Sequence, residues 1–200
     1  MKITILNVLT KKEHQMVKGY QIAKGNIIHH EGDVCENIGI IISGKVDIIS
    51  YSFEGKEILI NSLKSGDIFG NNLLFSSSPI YKGDIIAKEK CVIAFINKEN
   101  LIYLLQNNVE FLNEYLNIQS DFGKSLNARI QLLSFPNAEE RLFYYASKSN
   151  NAIEFKNVTS LAATLGVQRE TLSRLLTTLI DRHLIKKEKG KITVIKKKKR

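Results

Sequence analysis

An α+β chain is predicted, with an all-β module first, one long helix next and a small basic module of helices and a hairpin last. Three observations predict it. Nine of the twelve glycines fall between residues 19 and 83, among short β-branched runs. A seam of helical period follows them, and the whole excess of positive charge lies in the last third of the chain. Two hundred residues with 44% apolar content are enough to bury a sizeable core, in one large domain or two small ones.

The β-module comes from the runs "NIGIIISG", "KVDIISYS", "KEILINSL", "GDIIA" and "CVIAFI", each set off by glycine. Short strands with closely spaced turn signals build a small sandwich, a jelly roll or a barrel. From about Lys98 to Leu133 the texture changes, with no proline and only Gly123. Phe111, Tyr115, Ile118 and Phe122 recur there at 4-3-4 spacing and continue through Leu126, Ile130 and Leu133. A seam of period near 3.5 can pair with a copy of itself, which makes those first four residues the expected dimerisation contacts. The alternative is a helix packed only on its own β-module.

Charge separates the last part from the rest. Residues 1–135 carry 14 Lys and Arg against 14 Asp and Glu, whereas residues 136–200 carry 15 against 6 and so hold the entire +9. Such an asymmetry points to a module facing a polyanion. Pro136 disfavours helix at Phe135, and "NAEERLFYYA" restarts one with Asn137 as N-cap and Glu140 at the third position.

The stretch "VTSLAATLGVQRETLSRLLTTLIDRHLI" then reads as two helices. The first, about Val158 to Leu165, has small Ala162 and Ala163 for close approach, and Gly166 supplies a tight turn. The second, Gln168 to Ile180, buries Leu172, Leu175, Leu176 and Leu179 and leaves Gln168, Arg169, Glu170, Ser173 and Arg174 free. This is helix-turn-helix logic, in which a recognition helix places its N-terminal side chains in the DNA major groove. An Arg fork fits guanine O6 and N7, a Glu accepts from the cytosine amino group, and each good pair contributes roughly 1–3 kcal/mol of discrimination. "LIKKEKGKITVI" follows as a hairpin turning near Gly190, a wing offering Lys186, Lys187, Lys189 and Lys191 to phosphates. The terminal Lys196–Arg200 run is either a phosphate-seeking arm or a solvated tail.

These residues resemble the Crp/Fnr transcription regulators along nearly the whole chain. "RETLSR", Arg169 to Arg174, is similar to that family's recognition helix, and "ISGKV", "GKE" and "GDIFG" to its cyclic-nucleotide-binding frame. The resemblance implies a β-roll of jelly-roll type as sensor over residues 1–107, a dimerisation helix and hinge over 108–135, and a winged helix-turn-helix over 136–200. It also implies Arg169, Glu170 and Arg174 as base readers, with Ser173 matching the Fnr branch, and a half-site of TGTGA or TTGAT type. Double-stranded DNA, a second copy of the chain and RNA polymerase are the implied partners. The sensor departs from the pattern: Asn71 stands where cyclic-AMP-binding members have a ribose-holding Glu, and Tyr81-Lys82 where they have Arg-Ser or Arg-Thr for the cyclic phosphate. The bidentate fork is gone, so dependence on cyclic AMP is not expected. Either the ligand site is lost altogether, or Gly70, Asn71, Asn72, Tyr81 and Lys82 are the candidate pocket for some other small effector.

No cofactor is expected. An iron–sulfur sensor needs about four thiolates, and the chain has Cys35 and Cys91, read as reduced structural thiols. A cupin-type metal site needs a His-x-His pair, but His29 and His30 are adjacent and would point to opposite faces of a strand, while His14 and His183 lie far away. No triad ordering, P-loop or paired-carboxylate motif is visible, so an enzyme is not expected. Without a cleavable leader or an eighteen-residue apolar run, a cytoplasmic protein that spans no membrane is expected. The competing function is a small-molecule sensor that acts through a protein partner instead of DNA.

Overall fold

The computed structural model describes residues 5–195. Two short 3-10 turns, Ile5–Val8 and Glu13–Met16, precede eight strands: β1 (Lys18–Ile22), β2 (Ile27–His29), β3 (Asn37–Ser43), β4 (Lys45–Tyr51), β5 (Glu57–Lys64), β6 (Ile68–Phe69), β7 (Asp84–Ala87) and β8 (Cys91–Asn97). They form two antiparallel four-stranded sheets, ordered β1-β8-β3-β6 and β2-β7-β4-β5. The expected runs became β3, β4, β5, β7 and β8. Ile38, Ile40, Ile41, Val46, Ile85, Ile93 and Ile96 are almost wholly buried in one core, as β-branched residues facing inward from two sheets should be. Gly39 on β3 is required by packing: a Cβ there would stand 2.1 Å from the Phe69 ring.

The helical stretch is two helices, α1 (Lys98–Asn107) and α2 (Val109–Leu133). Asn108 separates them because its side chain does three jobs. Its Oδ1 accepts from the Phe111 N–H at 2.9 Å, capping α2, while its Nδ2 donates to the Val8 carbonyl at 3.1 Å and to the Glu13 carboxylate at 3.0 Å. The chain then divides inside α2 into two compact units, after Asp121. The stretch 108–135 is therefore shared between the two units, its first half belonging to the β-roll.

Burial divides the four expected dimerisation residues. Phe111 and Tyr115 are buried in the core of their own β-roll and Ile118 packs against it, so these three have an intramolecular role. Regular helical spacing identifies a face and leaves open what covers it. Val109, Leu116, Phe122, Leu126, Ile130 and Leu133 are the exposed large apolar side chains among the described residues of α2, with Phe122, Leu126 and Ile130 each one turn apart.

The C-terminal unit holds α3 (Ala138–Ser147), β9 (Ala152–Glu154), α4 (Val158–Leu165), α5 (Arg169–Asp181), β10 (Ile185–Glu188) and β11 (Lys191–Val194). Asn137 caps α3 as expected, accepting from the Glu140 N–H at 2.9 Å. The hairpin gains a third strand in the order β10-β11-β9. Asn150 and Asn151, at φ 51° and 61°, turn the chain from α3 into β9; Asn tolerates this left-handed region. Leu142, Ala146, Ile153, Leu161, Leu165, Leu172, Leu176, Leu179 and Ile192 close a second core. Cys35 and Cys91 are buried free thiols. Among the described residues no helix is long and apolar enough to cross a membrane, and no cluster of three or more His, Cys, Asp or Glu could hold a metal.

Candidate nucleic-acid interface

A capping box starts α4: Asn157 Oδ1 accepts from the Ser160 N–H at 2.8 Å, and Ser160 Oγ accepts from the Asn157 N–H at 3.3 Å. The helix ends at Gly166, left-handed at φ +65°, where a Cβ would come within 2.6 Å of Leu133 Cδ2. Conformation and packing both demand glycine at this turn. α5 begins at Arg169, with Gln168 as an extended N-cap residue whose side chain makes no cap bond, one residue later than expected. Leu172, Leu176 and Leu179 are buried and Leu175 is half-buried. Gln168, Arg169, Glu170, Ser173 and Arg174 are all exposed, and among the described residues none of their side chains has a hydrogen-bond or ion-pair partner. The structure thus brings two guanidinium groups, a carboxylate, a hydroxyl and a carboxamide onto the solvent side of one helix start.

Two arginines outside the motif hold the turn. From α2, Arg129 donates Nη1 to the Thr164 carbonyl at 2.7 Å and Nη2 to the Ala163 carbonyl at 2.9 Å. From α3, Arg141 donates Nη1 to the carbonyls of Leu165 and Gly166 at 3.1 and 3.3 Å, and Nε to the Phe135 carbonyl at 2.9 Å. Four consecutive carbonyls, at the helix end where partners run out, are met by charged donors just ahead of α5. Neither arginine stood out in the sequence. Arg129→Ala is expected to cost the C-terminal unit about 1–3 kcal/mol in urea unfolding, and Arg129→Lys to recover only part, because one ammonium cannot reproduce the fork.

The wing divides the expected phosphate lysines between its two faces. In β10, Lys186 pairs with Thr193, Lys187 with Ile192 and Glu188 with Lys191. Strand pleat therefore puts Lys187 on the side of buried Ile185 and Ile192, while Lys186 and Lys191 take the other. The Lys186 ammonium lies 2.8 Å from the Glu188 carboxylate, which raises the lysine's pKa and lowers the glutamate's. Lys189 and Lys191 instead line a shallow depression with Lys156, from the segment after β9, a residue the sequence did not single out. Lys196–Arg200 lie outside the described residues.

Of the five candidate effector residues, Gly70 and Tyr81 lie side by side, a Cβ on Gly70 coming within 3.1 Å of the Tyr81 hydroxyl. Asn71 is buried, its Nδ2 donating to Gln119 Oε1 on α2, while Gln119 Nε2 and the Tyr115 hydroxyl donate to the Asn71 carbonyl at 3.3 and 3.4 Å. Tyr81 is 3% exposed. Its ring stacks on His29 at 4.5 Å, and His29 meets Phe69 and Phe95 edge-on at 6.2 and 6.1 Å. Burial pushes the Tyr81 hydroxyl far up, with Cys35 beside it adding to the effect. Asn72 and Lys82 are exposed, and Gly70 lies in the buried left-handed turn before Asn71 at φ +78°. The Tyr81 phenol lies in the apolar interior and fills it.

Residues 21–108 match the model of the cyclic nucleotide-binding domain, and residues 141–199 that of the Crp-like helix-turn-helix domain. The cAMP-activated global transcriptional regulator CRP of Pasteurella multocida is 27% identical over 186 residues, covering 86% of this chain and 87% of the relative. Among solved structures, a cysteine-to-serine variant of CprK complexed with OCPA superposes with a TM-score of 0.73 at 18% identity, covering 92% of this chain and 88% of that one. A mutant of CooA from Carboxydothermus hydrogenoformans does so at 0.69 and 19%, covering 98% and 93%. The two structures support the fold.

Proposed function

The chain belongs to the Crp/Fnr family of DNA-binding transcriptional regulators, and from that premise we propose that it is a homodimer reading an inverted-repeat operator without needing cyclic AMP. The carrying observation is the solvent face of α5, where Arg169, Glu170, Ser173 and Arg174 stand unpartnered among the described residues behind a turn held by two arginines. Donors and acceptors left free at the start of a recognition helix are suited to base edges, and Lys156, Lys189 and Lys191 to phosphates. In this reading the β-roll is the sensor, α2 the dimer helix, and residues 136–200 the DNA-binding part; RNA polymerase is the partner through which binding affects transcription. Footprinting on the source genome tests it: protected inverted repeats upstream of promoters are expected, and protection without sequence preference would overturn the reading.

Independence from cyclic AMP rests on the sensor interior. The cited relative is named as cAMP-activated, but here the Asn71 carboxamide is engaged by Gln119 and the Tyr81 ring occupies the core on His29. Hydrogen bonds to charged groups contribute about 1.5–3 kcal/mol each, so replacing two such contacts weakens the nucleotide by at least about a hundredfold. Calorimetry with cyclic AMP and cyclic GMP is expected to show no micromolar binding, and footprints are expected to be the same with and without either. A micromolar dissociation constant with nucleotide-dependent footprints would refute this.

A further inference from the structure

A cavity of about 330 Å³ opens beside β1, bounded by Lys18 and Tyr20 of β1, Asn37 of β3, Phe95 and Asn97 of β8, and His29 of β2, with Asn100 of α1 on its wall. None of these residues belongs to the Asn71–Lys82 segment, and none is part of the DNA-reading face. Its volume is that of a site for a small organic molecule.

The lining has a definite chemistry. Lys18 is its one full cation, exposed and without an ion-pair partner among the described residues, and no carboxylate lines it. Tyr20 and Phe95 meet edge to face with centroids 5.8 Å apart, presenting aromatic surface. Asn97 Oδ1 is taken by the Asn100 N–H at 2.9 Å and Asn100 Nδ2 by the Met16 carbonyl at 3.0 Å. The Asn97 amide donors, the Asn100 amide oxygen and both ends of the Asn37 side chain therefore have no partner among the described residues. His29 is also on the wall, its ring stacked on Tyr81. Burial holds the His29 pKa below its ordinary value, against the pull of Asp33, so Lys18 is the cation that an anion meets here.

We propose that this cavity binds a small aromatic carboxylate, its ring against Tyr20 and Phe95 and its anionic group facing Lys18 and the Asn97 amide. A single cation above aromatic walls, with amide donors and no competing carboxylate, selects a flat monoanion over a neutral or cationic molecule. The inference is independent of how the chain contacts DNA.

The test titrates the full-length protein with benzoate and neutral benzamide, following the Asn side-chain amide and His29 ring resonances by NMR. Saturable shifts confined to this cavity are expected with benzoate, with benzamide about tenfold weaker or more. Lys18→Gln, at an exposed position, should erase the preference for benzoate over benzamide. Absence of saturable shifts at millimolar probe, equal affinity for benzoate and benzamide, or an unchanged preference in Lys18→Gln overturns the proposal.

Discussion

Ile130→Asp, alone or with Leu126→Asp, is expected to turn the protein into a monomer and to reduce its affinity for an inverted-repeat operator by about two orders of magnitude or more. Phe122, Leu126 and Ile130 recur at 4-4 spacing on α2 and are 39%, 49% and 59% exposed. A helical stripe of large apolar residues left in water is stabilised by pairing with its own copy about a two-fold axis. A carboxylate placed in that seam would have to be buried without a counter-charge, which costs more than the seam gains there. Two recognition helices joined in this way address half-sites about one DNA turn, roughly 34 Å, apart, and losing the partner removes the second contact. Phe111→Ala serves as the contrast: Phe111 is fully buried in the β-roll, so this change should cost about 3–5 kcal/mol of folding stability with no specific effect on assembly. Sedimentation velocity at micromolar protein, paired with mobility shifts, reads both. A monomeric wild type, or an Ile130→Asp protein that still sediments as a dimer, would sink the assignment.

The contrast between Phe111 and Ile130 also marks how far the sequence could be read. Both sit on one seam of near-3.5 period, and period locates a face while leaving open whether a sheet or a second copy covers it. The strands found in advance are those whose β-branched runs end at glycine. β1, "KGYQI", is largely exposed, and β2, β6 and β9 have only three, two and three residues, too few for alternation to register. The break at Asn108 follows from a capping preference that a continuous helical pattern hides. On the DNA side, the exposed face of α5 was legible because its leucine stripe fixes what is left over. Arg129 and Arg141 were not, since their partners on the turn are main-chain carbonyls 24 to 35 residues away and carry no side-chain signature. The wing lysines could have been sorted by strand alternation alone, because Lys186 and Lys187 are neighbours and a pleat must separate them. In the sensor, the substitutions at Asn71 and Tyr81 were visible, but their new engagements with Gln119 and His29 belong to tertiary packing.

Arg174→Ala is expected to cost about 1–3 kcal/mol at each half-site of the cognate operator and very little on random DNA. Arg174 is exposed on α5, and its guanidinium has no partner among the described residues, so its removal should leave folding unchanged and act on binding alone. Arg141→Ala is different: it strips charged donors from the Leu165, Gly166 and Phe135 carbonyls, and should lower thermal stability together with affinity. Lys189 and Lys191, at the tip of the wing, give a third pattern. Phosphate contacts position the protein without reading sequence, so replacing both lysines should weaken cognate and random DNA alike and flatten the salt dependence by about one counterion per lost contact. Titrations of the three variants on both DNAs at two salt concentrations, beside melting curves, separate base reading from scaffolding and from phosphate attraction. Base reading predicts that Arg174→Ala alone lowers the ratio of specific to random affinity while keeping the wild-type melting temperature. Equal losses on the two DNAs would show that Arg174 meets the backbone, and the specificity would then have to come from Arg169, Glu170 and Ser173.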